Sequence, residues 1–323
     1  RSSDLIGDCL TLIYGLGVGD CAAQRIEVRT SFVRATPAGQ GDYEPVTWDD
    51  RAMDRFGYFR TERVAYDRQR GATVDGRLLF ANRHNLWSNT WQRDAAGAVV
   101  VDDDGKRVAR PFAERTLRPV VYHLSPHFPE PLRPYAAATA AEWDRAFRRA
   151  VAAAQNGGDT SSMDTVRPMF VLCDNPVSDR PVYPDDPQYA ADCGAPGTDV
   201  RIGDVRYNVL WWVHDLQKSG PLGYGPSATD PLTGEILSGT AYLYGDAVNT
   251  FAQWAVDVIR FANGDLTPAE LQSPEYIRDE IAGRRRPEID PRAAALTPTA
   301  DLARVALSAD PTSLVGGRGR GVI

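Results

Sequence analysis

The chain has 323 residues, 43% of them hydrophobic and 24% charged, with a formal net charge of -7. That length can hold one large domain or two ordinary ones around a sizeable core. Acids and bases are interspersed, which argues against nucleic acid as a partner, and no run approaches the roughly 18–20 apolar residues of a membrane-spanning helix.

The chain opens on Arg1 rather than Met, as expected of a chain processed or trimmed at its start. Residues 1–24 form a glycine-punctuated lead. Gly15, Gly17 and Gly19 suggest a phosphate loop only superficially, because no Lys-Ser/Thr pair follows. Residues 25–34 read R-I-E-V-R-T-S-F-V-R, and alternation of Ile26, Val28 and Phe32 with polar residues predicts a half-buried strand. Residues 36–118 are rich in turn formers and aromatics. Within them, V-V-V-D-D-D-G-K-R-V (99–108) predicts a hairpin turning at Asp104-Gly105. Its three aspartates lack the spacing of a calcium loop and read as a solvated tip.

Residues 118–124, R-P-V-V-Y-H-L, predict a strand. Pro126, Pro129, Pro131 and Pro134 interrupt the chain before a helix over 135–155, whose inward stripe is expected at Ala136, Ala140, Trp143, Phe147, Ala150 and Ala154. Asn156-Gly157 closes it. Further strands are predicted over 169–173, 205–213 and 235–244, with a loop over 220–233. Asp246 reads as the N-cap of a helix burying Val248, Phe251, Ala255, Ile259 and Ala262, and Asn263-Gly264 ends it. From residue 265 short proline-ended helices alternate with charged linkers. Arg284-Arg285-Arg286 reads as a solvated loop or helix end, and G-G-R-G-R-G (316–321) as a flexible tail.

This order predicts an α/β (α+β) fold, a mixed twisted sheet with a backing helix. A β-rich N-terminal region (1–117), an α/β unit (118–264) and a helical or irregular extension (265–323) are the expected divisions.

The four cysteines form two local couples, Cys9 with Cys21 and Cys173 with Cys193. Local pairing is the natural choice among the three connectivities. Disulfides require an oxidising compartment, hence export to the cell surface, periplasm or medium. Free thiols are the alternative. A metal site is the weaker one, since no C-x2-C exists and four cysteines would have to join distant segments.

Only His84, His123, His127 and His214 are present, and H-E-x-x-H, which sets two ligands on one helical face, is absent. His123 and His127 have that interval at a strand end, where four extended residues span about 13 Å, and they read as loop or surface histidines. There is no G-x-S-x-G; Gly225-Pro226-Ser227 lacks the second glycine and carries a proline. Nothing marks out a carboxylate pair among the many acids, so a hydrolase of that kind stays a third possibility.

Residues 118–147, RPVVYHLSPHFPEPLRPYAAATAAEWDRAF, resemble the opening strand, proline-bearing turn and first long helix of metzincin-type peptidases, with Trp143, Ala146 and Phe147 as the helix face. GDVRYNVLWWV (203–213) followed by GPLGYGPSATDPLTGEILSGTAYLY (220–244) is similar to a large group of bacterial zinc-dependent metallopeptidases. The resemblance implies that the strand of residues 235–244 lies at the sheet edge beside a cleft. A peptide or protein substrate would pair there by strand addition along Ile236, Leu237, Ser238, Gly239, Thr240 and Ala241. An ordinary sheet edge is the plain alternative.

In that family an H-E-x-x-H helix follows, whereas here the next helix, AVNTFAQWAVDVIRFANG, contains no histidine. Zinc is therefore expected only in the complete peptidase, with none bound by this chain. The resemblance implies the N-terminal, cleft-forming part of a secreted zinc metalloendopeptidase, with a C-terminal chain of the same precursor as a partner. The rival is a non-catalytic extracellular binding or structural subunit on the same frame.

Overall fold

The computed structural model describes residues 28–34, 41–214, 221–276 and 278. The architecture is mixed α/β. A short helix α1 (Asp50–Arg55) leads into an antiparallel pair, β1 (Arg60–Asp67) and β2 (Gly71–Ala81), and a second small pair joins β3 (Trp87–Ser88) to β4 (Thr116–Leu117). The hairpin expected over 99–108 is present as a bridge between Val101 and Arg107, with the Gly105 amide bonded to the Asp102 carbonyl. Asp102 Oδ1 accepts from the Asp104 and Lys106 amides, so these aspartates build a turn.

The main sheet comprises β5 (Val120–Leu124), β6 (Phe170–Cys173), β7 (Asn208–Val213), β8 (Gly223–Tyr224), β9 (Ser227–Thr229) and β10 (Ile236–Tyr244). Its order is β6-β5-β7-β10, all parallel, with β8 and β9 paired antiparallel along the far side of β10. The remaining α-helices are α2 (Arg133–Gln155), α3 (Ala190–Cys193), α4 (Gly245–Asn263) and α5 (Pro268–Leu271), with single 3-10 turns at Phe112–Glu114, Glu130–Leu132, Met163–Thr165 and Pro187–Tyr189. None is long and apolar enough to cross a membrane.

Alternation along the strands divides the core in two. One face carries Leu124, Leu172 and Trp212, packed with Phe128 and with Ala136 and Ala140 of α2. The other carries Val171, Cys173 and Val209, covered by Val177, Cys193 and Val200 from the excursion after β6. Cys173 and Cys193 are disulfide-bonded, as the local couple predicts, while Cys9 and Cys21 lie outside the described residues.

The inward stripe of α2 differs from expectation. Ala136, Ala140, Asp144, Val151 and Ala152 are buried, and Trp143 is half exposed, lying on Phe147 at the rim. The inward place goes to Asp144, 1% exposed. Its Oδ1 accepts from the Met169 and Phe170 amides at 2.6 and 3.1 Å, and its Oδ2 from the Tyr183 hydroxyl at 3.0 Å. Arg148, one helical turn on, stands 3.7 Å away as counter-charge. The start of β6 thus offers donors that an indole could not use.

Three other expectations are corrected. The described part of the strand expected over 25–34 is irregular, with Val28 and Phe32 exposed, because its alternation meets no partner strand. The loop over 220–233 contains β8 and β9. Helix α4 starts at Gly245, with Tyr244 as its N-cap, so Asp246 lies inside it. A Cβ on Gly245 would come within 2.6 Å of the Trp212 indole, and this contact sets how α4 meets the sheet. Val248 joins the core, whereas Phe251, Trp254, Val258 and Phe261 remain about half exposed. Gly264, in the left-handed region at φ 79°, terminates the helix as expected.

Replacing Asp144 by Ala leaves two amides and a phenol without their acceptor. The expected loss is about 2–4 kcal/mol of unfolding free energy, read from urea titration of D144A beside the unaltered chain. Replacing Cys173 by Ser opens the loop closed with Cys193 and is expected to lower stability by about 2–4 kcal/mol, read from urea titration beside the unaltered chain.

Candidate functional site

The turn Asp230–Gly234 builds the entry to β10. Asp230 Oδ1 accepts from the Leu232 amide at 2.8 Å, the Asp230 carbonyl accepts from the Gly234 amide at 2.9 Å, and the Asp230 amide returns to the Glu235 carbonyl at 2.8 Å. Gly234 has φ 76°, and a Cβ there would meet the Ala81 carbonyl at 2.7 Å, so only glycine fits. This turn hands the chain from β9 to β10 and sets their register, Ile236 opposite Thr229 and Gly239 opposite Ser227.

The six residues expected to line an open edge are placed inside the sheet instead. On one side, the Ile236 amide donates to the Arg83 carbonyl at 2.8 Å, and the Gly239 amide to Asn208 Oδ1 at 2.7 Å. Thr240 and Ala241 pair with Val209 and Leu210. On the other side, Ile236, Ser238 and Gly239 face β9, and the Thr240 amide donates to the Pro226 carbonyl at 2.9 Å. Ser238 and Gly239 are buried, Ile236, Thr240 and Ala241 are half-buried, and Leu237 is at the margin of exposure. A Cβ on Gly239 would fall 2.5 Å from the Tyr122 hydroxyl, which crosses the strand there. Strand addition along Ile236–Ala241 is closed by main chain on both flanks.

The open edge lies one strand further out, at residues 222–228. Leu222, Gly223, Tyr224, Gly225, Ser227 and Ala228 are exposed, and Pro226 is half-buried. Tyr224 is directly opposite Tyr242, the Tyr244 amide donates to the Leu222 carbonyl at 3.0 Å, and the Pro226 carbonyl accepts from Thr240. The inward hydrogen bonds therefore use the even-numbered residues. In an antiparallel ladder the intervening residues aim their amides and carbonyls the other way, so those of Gly223, Gly225 and Ser227 point outward. The signal in the sequence is the alternation L-G-Y-G-P-S, which lies within the loop expected over 220–233 on the turn signals Asp230-Pro231 and Thr233-Gly234.

His123 and His127 lie on and just after β5, which β7 and β10 separate from this edge. His123, buried at 2% exposure, bonds through Nε2 to the Cys193 carbonyl at 3.0 Å and meets the Tyr207 ring edge-on at 5.2 Å. It is a core histidine of β5, which corrects its reading as a loop or surface residue. His127 is exposed in a left-handed turn at φ 58°, so the two do not share a site. Among the described residues no three His, Cys, Asp or Glu side chains converge as a metal site.

Among the described residues, one cavity of about 360 Å³ lies beside Arg29, Phe32, Asp204 and Arg206, and another of about 200 Å³ beside Asp144, Arg148 and Tyr183. Neither is lined by a residue of β8, β9 or β10. The surface offered here is an extended strand edge rather than a pocket. Ser227, in β9, is a strand residue and no nucleophile elbow.

Burial holds the His123 imidazole below its usual value, partly offset by the Cys193 carbonyl. His84 is pushed down to about 4 by burial and by the neighbouring Arg118. Both are therefore lower in the folded chain than the ordinary histidine value of about 6.5 in the unfolded one. Their contribution to stability is present above about pH 6.5 and is lost as the pH falls toward 4. Urea midpoints are expected to decline between about pH 7 and pH 4.5, and the H84N variant to show a shallower decline over the same interval.

No protein-family model, curated protein or solved structure matches the chain.

Proposed function

We propose that this chain is the polypeptide-binding frame of an exported zinc metalloendopeptidase of the metzincin type. In this reading the metzincin-like unit is the sheet of residues 118–264 with its backing helix, joined by a β-rich N-terminal region. The zinc-binding helix lies outside this chain, whose four histidines include no H-E-x-x-H pair, and the complete peptidase holds the metal. A C-terminal chain of the same precursor is the natural carrier of that helix.

The observation that carries the reading is the outer edge at residues 222–228. Its main chain bonds inward through alternate residues and leaves the Gly223, Gly225 and Ser227 groups for another strand. Natural sheets usually protect such edges with charge. This one carries no charged residue from Pro221 to Thr229. The disulfide between Cys173 and Cys193 supports export. The absence of histidine from α4, and of a ligand cluster among the described residues, favours the rival, a non-catalytic extracellular binding subunit that pairs with polypeptide in the same way.

Amide hydrogen exchange on the chain, with and without an unfolded polypeptide substrate, tests the binding role. Exchange at Gly223, Gly225 and Ser227 is expected to slow about tenfold or more on addition of polypeptide, with β5 and β6 unchanged. S227P, which removes one outward donor, should weaken the effect. Unchanged exchange at all three positions would rule the reading out. Slowed exchange together with a complete precursor that holds no zinc and cleaves nothing would assign the chain to the non-catalytic subunit.

A further inference from the structure

The edge at residues 222–228 has two unlike faces. Because successive side chains of a strand point to opposite sides, Leu222, Tyr224 and Pro226 share one face, and Gly223, Gly225 and Ser227 the other. The first face continues inward onto β10. The Tyr224 ring lies nearly parallel to Tyr242, interplanar angle 13° at 6.5 Å between centroids. Tyr242 lies likewise against Tyr244, at 20° and 6.4 Å. Trp211 stands beside Tyr242 in the register of β7 with β10. Tyr242 and Tyr244 thus run along β10, parallel to the open edge, and Tyr224, 60% exposed, lies across from Tyr242 at that edge with Leu222 beside it at 44%.

On the second face Ser227 alone carries a side chain. Gly223 and Gly225 present no side chain, and Gly223 has no room for one, since a Cβ would meet the Tyr242 carbonyl at 2.8 Å. An incoming strand would therefore find a ridge of rings on one side and a floor of backbone on the other.

We propose that this edge selects extended polypeptides bearing aromatic residues at every second position, read by Leu222, Tyr224 and Pro226 with the Tyr242–Tyr244 row behind them. The inference rests on the strand-addition reading above and adds the substrate class to it. A strand that pairs with Gly223, Gly225 and Ser227 sets alternate side chains on the Tyr224 face, directly across from an exposed ring. Cross-strand aromatic pairs are among the more favourable side-chain pairs of a sheet. The residues in between lie over glycine and meet no ring. Aromatic residues adjacent in sequence cannot both use the ridge, since one of each pair turns to the second face. The ring row is also continuous with the edge that offers the main-chain groups, so one extended chain engages both.

The test uses fluorescein-labelled peptides of about ten residues, flanked by lysines for solubility. One alternates Phe with Thr, a second has the same composition with Phe residues adjacent, and a third alternates Ala with Thr. Binding is read by anisotropy, and edge protection by exchange at Gly223 and Gly225. The alternating Phe peptide is expected to bind about threefold to tenfold more tightly than the Ala peptide for each ring seated, and more tightly than the peptide with adjacent Phe. The Y224S variant, at an exposed position, should reduce that preference while the Ala peptide still slows exchange at the edge. Equal binding of the two Phe peptides, with the edge protected by both, would overturn the selectivity and leave strand addition standing. Absence of edge protection by any peptide would overturn both.

Discussion

A buried carboxylate fixes the relation between the backing helix and the sheet. Asp144 sits in the middle of α2, closed off from water, and takes its hydrogen bonds from the two amides that begin β6 and from Tyr183. A charge in that place is tolerated only because each contact is a donor and Arg148 stands near. Burial, together with the same carboxylate, pushes the Tyr183 phenol up to about 12, so the hydroxyl keeps its proton and stays a donor. With the helix held in this way, β6 and β5 present Leu172, Tyr122 and Leu124 to it in fixed order, and the sheet grows outward from there.

A second polar residue continues the construction. Asn208 opens β7, donating to the Val121 carbonyl of β5 at 2.7 Å and accepting from the Gly239 amide of β10 at 2.7 Å. One side chain thus ties β7 to both neighbours at the residue before the β7–β10 ladder begins. Gly239 beneath Tyr122, Gly245 against Trp212 and Gly234 against Ala81 allow the close approaches that follow. The parallel part of the sheet ends at β10, and the antiparallel β8 and β9 form the margin that faces solvent.

The parts of the fold legible in the sequence are those whose periodicity answers to burial on a single face. β5, β6 and β10 announce themselves by apolar alternation or short apolar runs, and α2 by its length. The Cys173–Cys193 bond follows from local spacing. Less legible are the residues whose place depends on a distant donor or partner. Asp144 looks like a surface acid until the β6 amides are known. Phe251 looks like a core residue because α4 is apolar over more than half its circumference, and only the Gly245–Trp212 contact decides which part turns inward. The candidate edge was hidden for another reason. Asp230-Pro231 and Thr233-Gly234 are strong turn signals that mark 220–233 as a loop, and the alternation of L-G-Y-G-P-S just before them becomes strand only through pairing with β10.

That alternation also has a consequence for motion along the edge. A strand displaced by one residue turns every side chain to the opposite face, so the ridge and the glycine floor exchange partners. Displacement by two residues restores the match. A long polypeptide lodged against Leu222, Tyr224 and Pro226 would therefore advance in two-residue steps, and the edge would act as a phase-keeping track, indifferent to position along the chain and sensitive to parity.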